Sequence, residues 1–236
     1  MKKNILRQLS LASLFAAALF MAACAGNTRQ YATSLQYVDE ATVAAIRLPE
    51  VPAPGSALFD ADFKTLHEEQ DSRTAGDCVV AERNAKYEFP EMFPSMKEFY
   101  DKLPEENKKF IDSVVDETYL AVKIAKKKYA RARPYVTDPT LNPCVDKPKK
   151  SSLAYPSGHA VYSRVYALLL TELMPKRRAE FLSRAEEIGR SRVVAGVHHP
   201  TDIEAGRRFA NALFAKYMES KLFRANVRNL RQYLPK

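Results

Sequence analysis

Four histidines, three cysteines, seven glycines and no tryptophan are all that this 236-residue sequence holds of these types. So few histidines and cysteines leave no repeated spacing of the kind a structural metal site uses. Glycine and proline together are modest, which argues against a disordered chain. The 46% hydrophobic content suits a globular core. No stretch sustains the apolar–polar alternation of a half-buried strand, and no repeat of fixed period occurs. What remains is helical periodicity nearly throughout, over 56–71, 74–88, 94–102, 105–131, 157–174, 176–196, 200–221 and 223–232. The expected fold is all-α, a single compact multi-helix domain over 56–236. Pro134–Pro156 is the longest irregular piece, and a loop of that length inside a compact domain is often functional.

Long apolar runs are also scarce. The one at Leu9–Ala23 follows Met1-Lys2-Lys3 and Arg7 and leads into the small residues Ala22-Ala23-Cys24-Ala25. Charge, length and exit residues are those of a secretory signal over 1–23, and the run is short for a bilayer span. Met21-Ala22-Ala23-Cys24 resembles a bacterial lipobox, with Met where Leu is more usual. Lipid on Cys24 would attach the protein to a membrane; cleavage after Ala25 would release it, and the lipidated form is favoured. Either route exports the chain, to the periplasm or its outer membrane. Cys78 and Cys144 then remain, and in an oxidising compartment they can pair, closing a long loop for about 4 kcal/mol of stabilisation; two unpaired buried thiols are the other reading. Loss of Lys2, Lys3 and Arg7 lowers the formal charge from +9 to +6. A basic exported protein favours anionic ligands, and net charge alone gives no reason to expect nucleic acid. Residues 24–55 hold a short amphipathic piece, Tyr37–Ile46, and the proline-rich Leu48–Gly55, which reads as an extended connector.

Three clusters carry chemistry. In "KKKYARARP" a helix must end before Pro134, because proline disfavours helical geometry at the preceding residue. Lys126 lies seven residues before Arg133, two turns back on nearly the same face, so both reach one point. Lys123, Lys127, Lys128 and Arg131 read as a solvated basic face. In "AYPSGHAVYSR" a helix opens after Pro156, and its unpaired N–H groups and dipole suit an anion. Gly158 allows close approach there, beside Ser157, and His159 brings a group that exchanges a proton near neutral pH. In "GRSRVVAGVHHPTD" Pro200 opens a further helix, and Asp202 falls in its first turn. Asp202 can take a hydrogen bond from one ring nitrogen of His198 and leave the other as nucleophile or base. Arg192 supplies a planar cation for bidentate phosphate binding. Metal ligation by His198, His199 and Asp202 competes, but lacks a further His or Cys at suitable spacing. His67 has no partner pattern and reads as structural.

In order, the clusters spell Lys-x6-Arg-Pro, Pro-Ser-Gly-His and Ser-Arg-x5-His-x3-Asp, separated by 21 and 31 residues. This resembles the type 2 phosphatidic acid phosphatase superfamily and, within it, the class A bacterial non-specific acid phosphatases, over about Leu48 to Arg208. The resemblance implies a metal-independent hydrolase of phosphate monoesters, without cofactor. His198 would be the phosphorylated nucleophile, oriented by Asp202, and His159 the acid for the leaving group. Lys126, Arg133, Ser157, Gly158 and Arg192 would hold the phosphate. His199 stands where an aromatic such as Trp is expected, and Thr201 where Ser is expected, which bears on substrate preference. Vanadium haloperoxidases share such a site, and so do lipid phosphatases. The latter are usually polytopic, whereas Arg164 and Glu172 interrupt the apolar run after His159. A basic polyanion-binding surface lipoprotein is the non-enzymatic alternative. Oligomeric state and preferred substrate are left open.

Overall fold

Cap residues open the first helices of the computed structural model, which describes residues 34–234. The expected signal segment 1–23 and Cys24 lie outside the described residues. Asp39, Ser56 and Thr74 each accept a backbone N–H of the first turn, starting α1 (Glu40–Ala45), α2 (Ala57–Ser72) and α3 (Ala75–Arg83). Thr74 and Asp77 form a reciprocal capping box. Two short helices follow, α4 (Phe89–Met92) and α5 (Lys97–Asp101), and then the long α6 (Glu105–Tyr129). Pro134 starts the single turn α7 (Pro134–Thr137). After a long loop come α8 (Gly158–Leu173), α9 (Arg178–Val194), α10 (Pro200–Glu219) and α11 (Lys221–Leu230). The described residues contain no strand, and the all-α expectation holds.

Helix α8 is the hub. It packs against α6, α9 and α10, and Val161, Tyr166 and Ala167 are wholly buried. Each large apolar side chain enclosed in this way contributes about 1.5–3 kcal/mol. Arg164 and Glu172 lie at its edge, paired with Glu186 and Arg231. Among the described residues no helix is long and apolar enough to cross a membrane. The packing around the start of α8 is closer than ordinary side chains allow. A Cβ at Gly206 would lie 2.8 Å from the Ala160 Cβ and 3.0 Å from the Ser157 carbonyl; one at Gly189 would lie 2.9 Å from Ile203. Glycine here lets α9 and α10 close on the first turn of α8.

Residues 34–55 lie along this domain. Tyr37 sits edge-on to Phe110, Tyr217 and Phe223, and the N–H groups of Gln36 and Tyr37 donate to Glu117 at 2.7 and 2.9 Å. Tyr129 and Tyr155 hold the backbone at Leu48 and Pro49. A disulfide joins Cys78 of α3 to Cys144 in the loop after α7, with Cα atoms 5.7 Å apart.

Several boundaries differ from expectation. The helix expected over 74–88 stops at Arg83, where the buried Asn84 accepts from Arg184 instead of continuing the turn. The one expected over 94–102 is a 3-10 turn, Pro94–Met96, followed by α5. Most consequential is α6, expected to reach residue 131. It ends at Tyr129 because Ala130 is left-handed (φ 47°), and residues 131–133 run non-helically into Pro134.

Candidate active site

Hydrogen bonds of backbone and side-chain groups stitch the three motif segments together. The Arg131 carbonyl accepts from Ala154 N–H at 2.8 Å, joining the first motif to the loop before α8. Lys126 donates to the Leu153 carbonyl at 2.5 Å, and Arg133 to the Ser152 carbonyl at 3.2 Å and its hydroxyl at 3.0 Å. The Ser157 N–H donates to the Asp202 carbonyl at 3.0 Å, tying the start of α8 to the start of α10. Arg133 Nη1 donates to the Val197 carbonyl at 2.8 Å and to His198 Nε2 at 2.7 Å. Lys126 and Arg133 thus meet, though not along one helix face: the chain between them leaves the helix at Ala130.

The His198 tautomer follows from its neighbours. Arginine can only donate, so Nε2 carries a lone pair. Nδ1 then carries the proton and donates to Asp202 Oδ2 at 3.2 Å. Burial, and then Arg133, hold the imidazole well below its ordinary pKa, with Asp202 opposing them. Asp202 is fully buried, yet hydrogen bonds from His198 and His199 outweigh the burial and keep its carboxyl well below the usual range. The His199 N–H also donates to Oδ2 at 2.9 Å, and His199 Nδ1 lies 3.0 Å from the same oxygen. His199 packs edge-on against Phe63 of α2, with ring centroids 5.3 Å apart. Among the described residues no three His, Cys, Asp or Glu side chains are placed to hold a metal ion.

The start of α8 shows one unexplained atom. Ser157 is completely buried, and its Oγ has no hydrogen-bond partner. A hydroxyl left so costs about 1–3 kcal/mol, which marks a position prepared for something else. At Gly158 a Cβ would meet the Tyr162 hydroxyl at 2.9 Å, so a larger residue there would displace that side chain. Tyr162 stands beside the His159 ring, 6.0 Å between centroids, and was not foreseen as a site residue.

Two carbonyls after and within α3 lie on the remaining groups. His159 donates Nε2–H to the Ala85 carbonyl at 2.8 Å, and Arg192 donates to the Ala81 carbonyl. Burial, then Arg192, push the His159 pKa down to about 3, far from the near-neutral value expected for a freely titrating histidine. Burial likewise lowers Arg192 to about 10 and Lys126 to about 7. Lys126 and Arg133 depress both histidines, so His159 and His198 share one field. A cleft of about 700 Å³ bounded by residues 34–40, Thr42, Lys216, Glu219 and Ser220 contains none of these groups.

One expectation needs correction. Arg131 is not on the solvated face. It is buried, donating to Asp202 Oδ1 and Thr201 Oγ1 at 2.7 Å each and to Asp62 Oδ2 at 2.8 Å. The left-handed Ala130 turns it inward. His67, half-exposed, is paired with Asp138 at 2.9 Å. Asp62 was missed; its one signal was its place four residues before the buried Leu66, on the inner face of α2.

Residues 116–222, which hold all three motifs, match the PAP2 superfamily model. The chain is 36% identical to the non-specific acid phosphatase of Salmonella typhimurium over 118 residues, 49% of this chain and 47% of that protein. The match therefore spans about half the length of that relative. The non-specific acid phosphatase of Providencia stuartii is 27% identical over 99% of this chain and 98% of its own. The fold resembles that of a transmembrane PAP2-type phosphatidylglycerolphosphate phosphatase from Bacillus subtilis, with TM-score 0.53 and 22% identity over 76% of this chain and 90% of that one. It also resembles a bacterial vanadium-dependent iodoperoxidase, with TM-score 0.56 and 16% identity over 75% of this chain and 53% of that one.

Proposed function

We propose that this protein is an exported acid phosphatase of the class A non-specific kind, hydrolysing phosphate monoesters through a phosphohistidine at His198. The observation that carries the reading is the His198 ring: Nδ1–H on a buried carboxylate, Nε2 lone pair among cations. Such an imidazole is a nucleophile held in one tautomer.

Phosphoryl transfer is mostly positioning and charge stabilisation. Lys126, Arg133 and Arg192 would exchange carbonyl partners for the non-bridging oxygens, and Ser157 Oγ and the first N–H groups of α8 would complete the cradle. His198 Nε2 bonds to phosphorus as the P–O ester bond breaks, and its electron pair leaves on the alkoxide, which takes a proton from His159. Water then attacks the phosphohistidine, giving its proton to His159, and the P–N bond breaks to restore neutral His198. His159 must be protonated to act as acid, and in the free site burial, and then the field of Arg192, Arg133 and Lys126, oppose this. A bound phosphate dianion cancels that field, so substrate raises the pKa of its own proton donor. Three cations and a helix terminus supply the positive charge a metal would otherwise bring.

The test is phosphate release from p-nitrophenyl phosphate. Activity that resists EDTA, is blocked by vanadate and disappears in His198→Ala supports the reading. Activity that needs added metal, or that survives in His198→Ala, refutes it.

A further inference from the structure

Behind the nucleophile lies a buried chain of charges, of which the mechanism above uses only Asp202. Arg131, Asp62 and Asp202 have side chains 6%, 2% and 0% exposed. They join three separate elements: α2, the link after α6, and the first turn of α10. Arg131 holds Asp202 Oδ1, leaving Oδ2 to the histidines. Asp62 holds Arg131 from the far side. It also takes the Thr201 N–H at 3.0 Å and the Thr201 hydroxyl at 2.5 Å, while Arg131 donates to that same hydroxyl. Both carboxylate oxygens of Asp202 are thereby directed, and the turn that carries it is fixed from two sides.

We propose that the Asp62–Arg131 pair is a positioning device for the nucleophile: through Asp202 it sets the orientation of the His198 ring and the proton affinity of its Nε2. The inference rests on the phosphohistidine reading. The groups acting on His198 are Arg133 and Lys126 from the first motif and Asp202 from α10. His199 shares Asp202, and Tyr155 lies within its field. Arg131 is the cation in direct contact with that carboxylate. Without it the negative charge on Asp202 acts on His198 undiminished, and the protonated, non-nucleophilic imidazolium becomes easier to form.

Arg131→Gln alone would leave two buried carboxylates facing each other. The informative variants are therefore Arg131→Lys, which keeps the charge and loses the fork, and the double variant Asp62→Asn/Arg131→Gln, which keeps the net charge of the trio. Folding is checked by circular dichroism and thermal melting, and p-nitrophenyl phosphate turnover is followed against pH. The folded double variant should lose about 100-fold in kcat, the order of effect that misplacing a reacting group produces. Its KM should stay within about threefold. The acidic limb of kcat/KM, which reports the free enzyme's ionisations, should move to higher pH. Arg131→Lys should keep the wild-type limb and recover only part of kcat. A folded double variant with wild-type kcat and limb overturns the proposal. If the double variant does not fold, the lysine variant decides, and wild-type kcat there overturns it. His198→Ala in the same series separates the two ideas, because turnover in that variant refutes the phosphohistidine reading itself.

Discussion

Lys126 gives the site a pH sense that can be worked through. Burial, and then Arg133, lower its ammonium from 10.5 to about 7, with Asp202 pulling the other way. In the free site the cation is therefore present below about 7 and lost above it. The charged fraction falls tenfold per pH unit beyond that point, to about 1% near pH 9. If only the charged form captures phosphate, kcat/KM should drop about 50-fold between about pH 7, where half the lysine is charged, and pH 9. Arginine stays charged throughout this range, so Lys126→Arg should flatten the basic limb, even if the larger head lowers the plateau. Lys126→Met should show a low, flat profile. The assay is kcat/KM for p-nitrophenyl phosphate across pH at constant ionic strength. A basic limb unchanged in Lys126→Arg would refute the assignment. The same depression has a sign for stability. Between about 7 and 10.5 the unfolded chain binds the proton that the folded one does not, so the ligand-free protein gains stability as pH rises through that window.

Other expectations follow from the same geometry. Ser157→Ala removes a buried hydroxyl without a partner, so it should raise the melting temperature, by the equivalent of about 1 kcal/mol, while weakening phosphate binding; a fall in both would show that the hydroxyl already serves the fold. Gly206→Ala places a methyl against Ala160 and the Ser157 carbonyl and should cost about 1–3 kcal/mol, read by denaturant midpoint, with lower turnover as the start of α8 is displaced. His159→Ala should slow alkyl phosphates far more than p-nitrophenyl phosphate, whose leaving group needs no proton; equal slowing would count against the acid role.

The sequence carried the helical fold and the convergence of the motifs further than it carried the network behind them. Helical periodicity and the prolines at 134 and 200 set most elements within a few residues. His198, Asp202, Arg133 and Ser157 meet because motif spacing in the chain reflects a site, not a surface. Arg131 was legible only in part. Pro134 signals an extended Arg133, and in extended chain residues two apart share a face, so Arg131 follows Arg133 inward. What hid this was Ala130, since nothing in its type announces a left-handed residue that ends α6 early. The pKa values were not legible, because they come from burial and from charges brought together from distant segments. Nor were the Ala81 and Ala85 carbonyls, since backbone acceptors have no sequence signature.

The most direct test of the account is to quench the protein during turnover of a phosphate monoester, at alkaline pH to preserve a phosphoramidate, and to map phosphorylated peptides by mass spectrometry. The account predicts one phosphoryl group on His198, formed and lost at rates compatible with turnover and absent from His198→Ala. Steady turnover with His198 unmodified, or with the label on another residue, would contradict it.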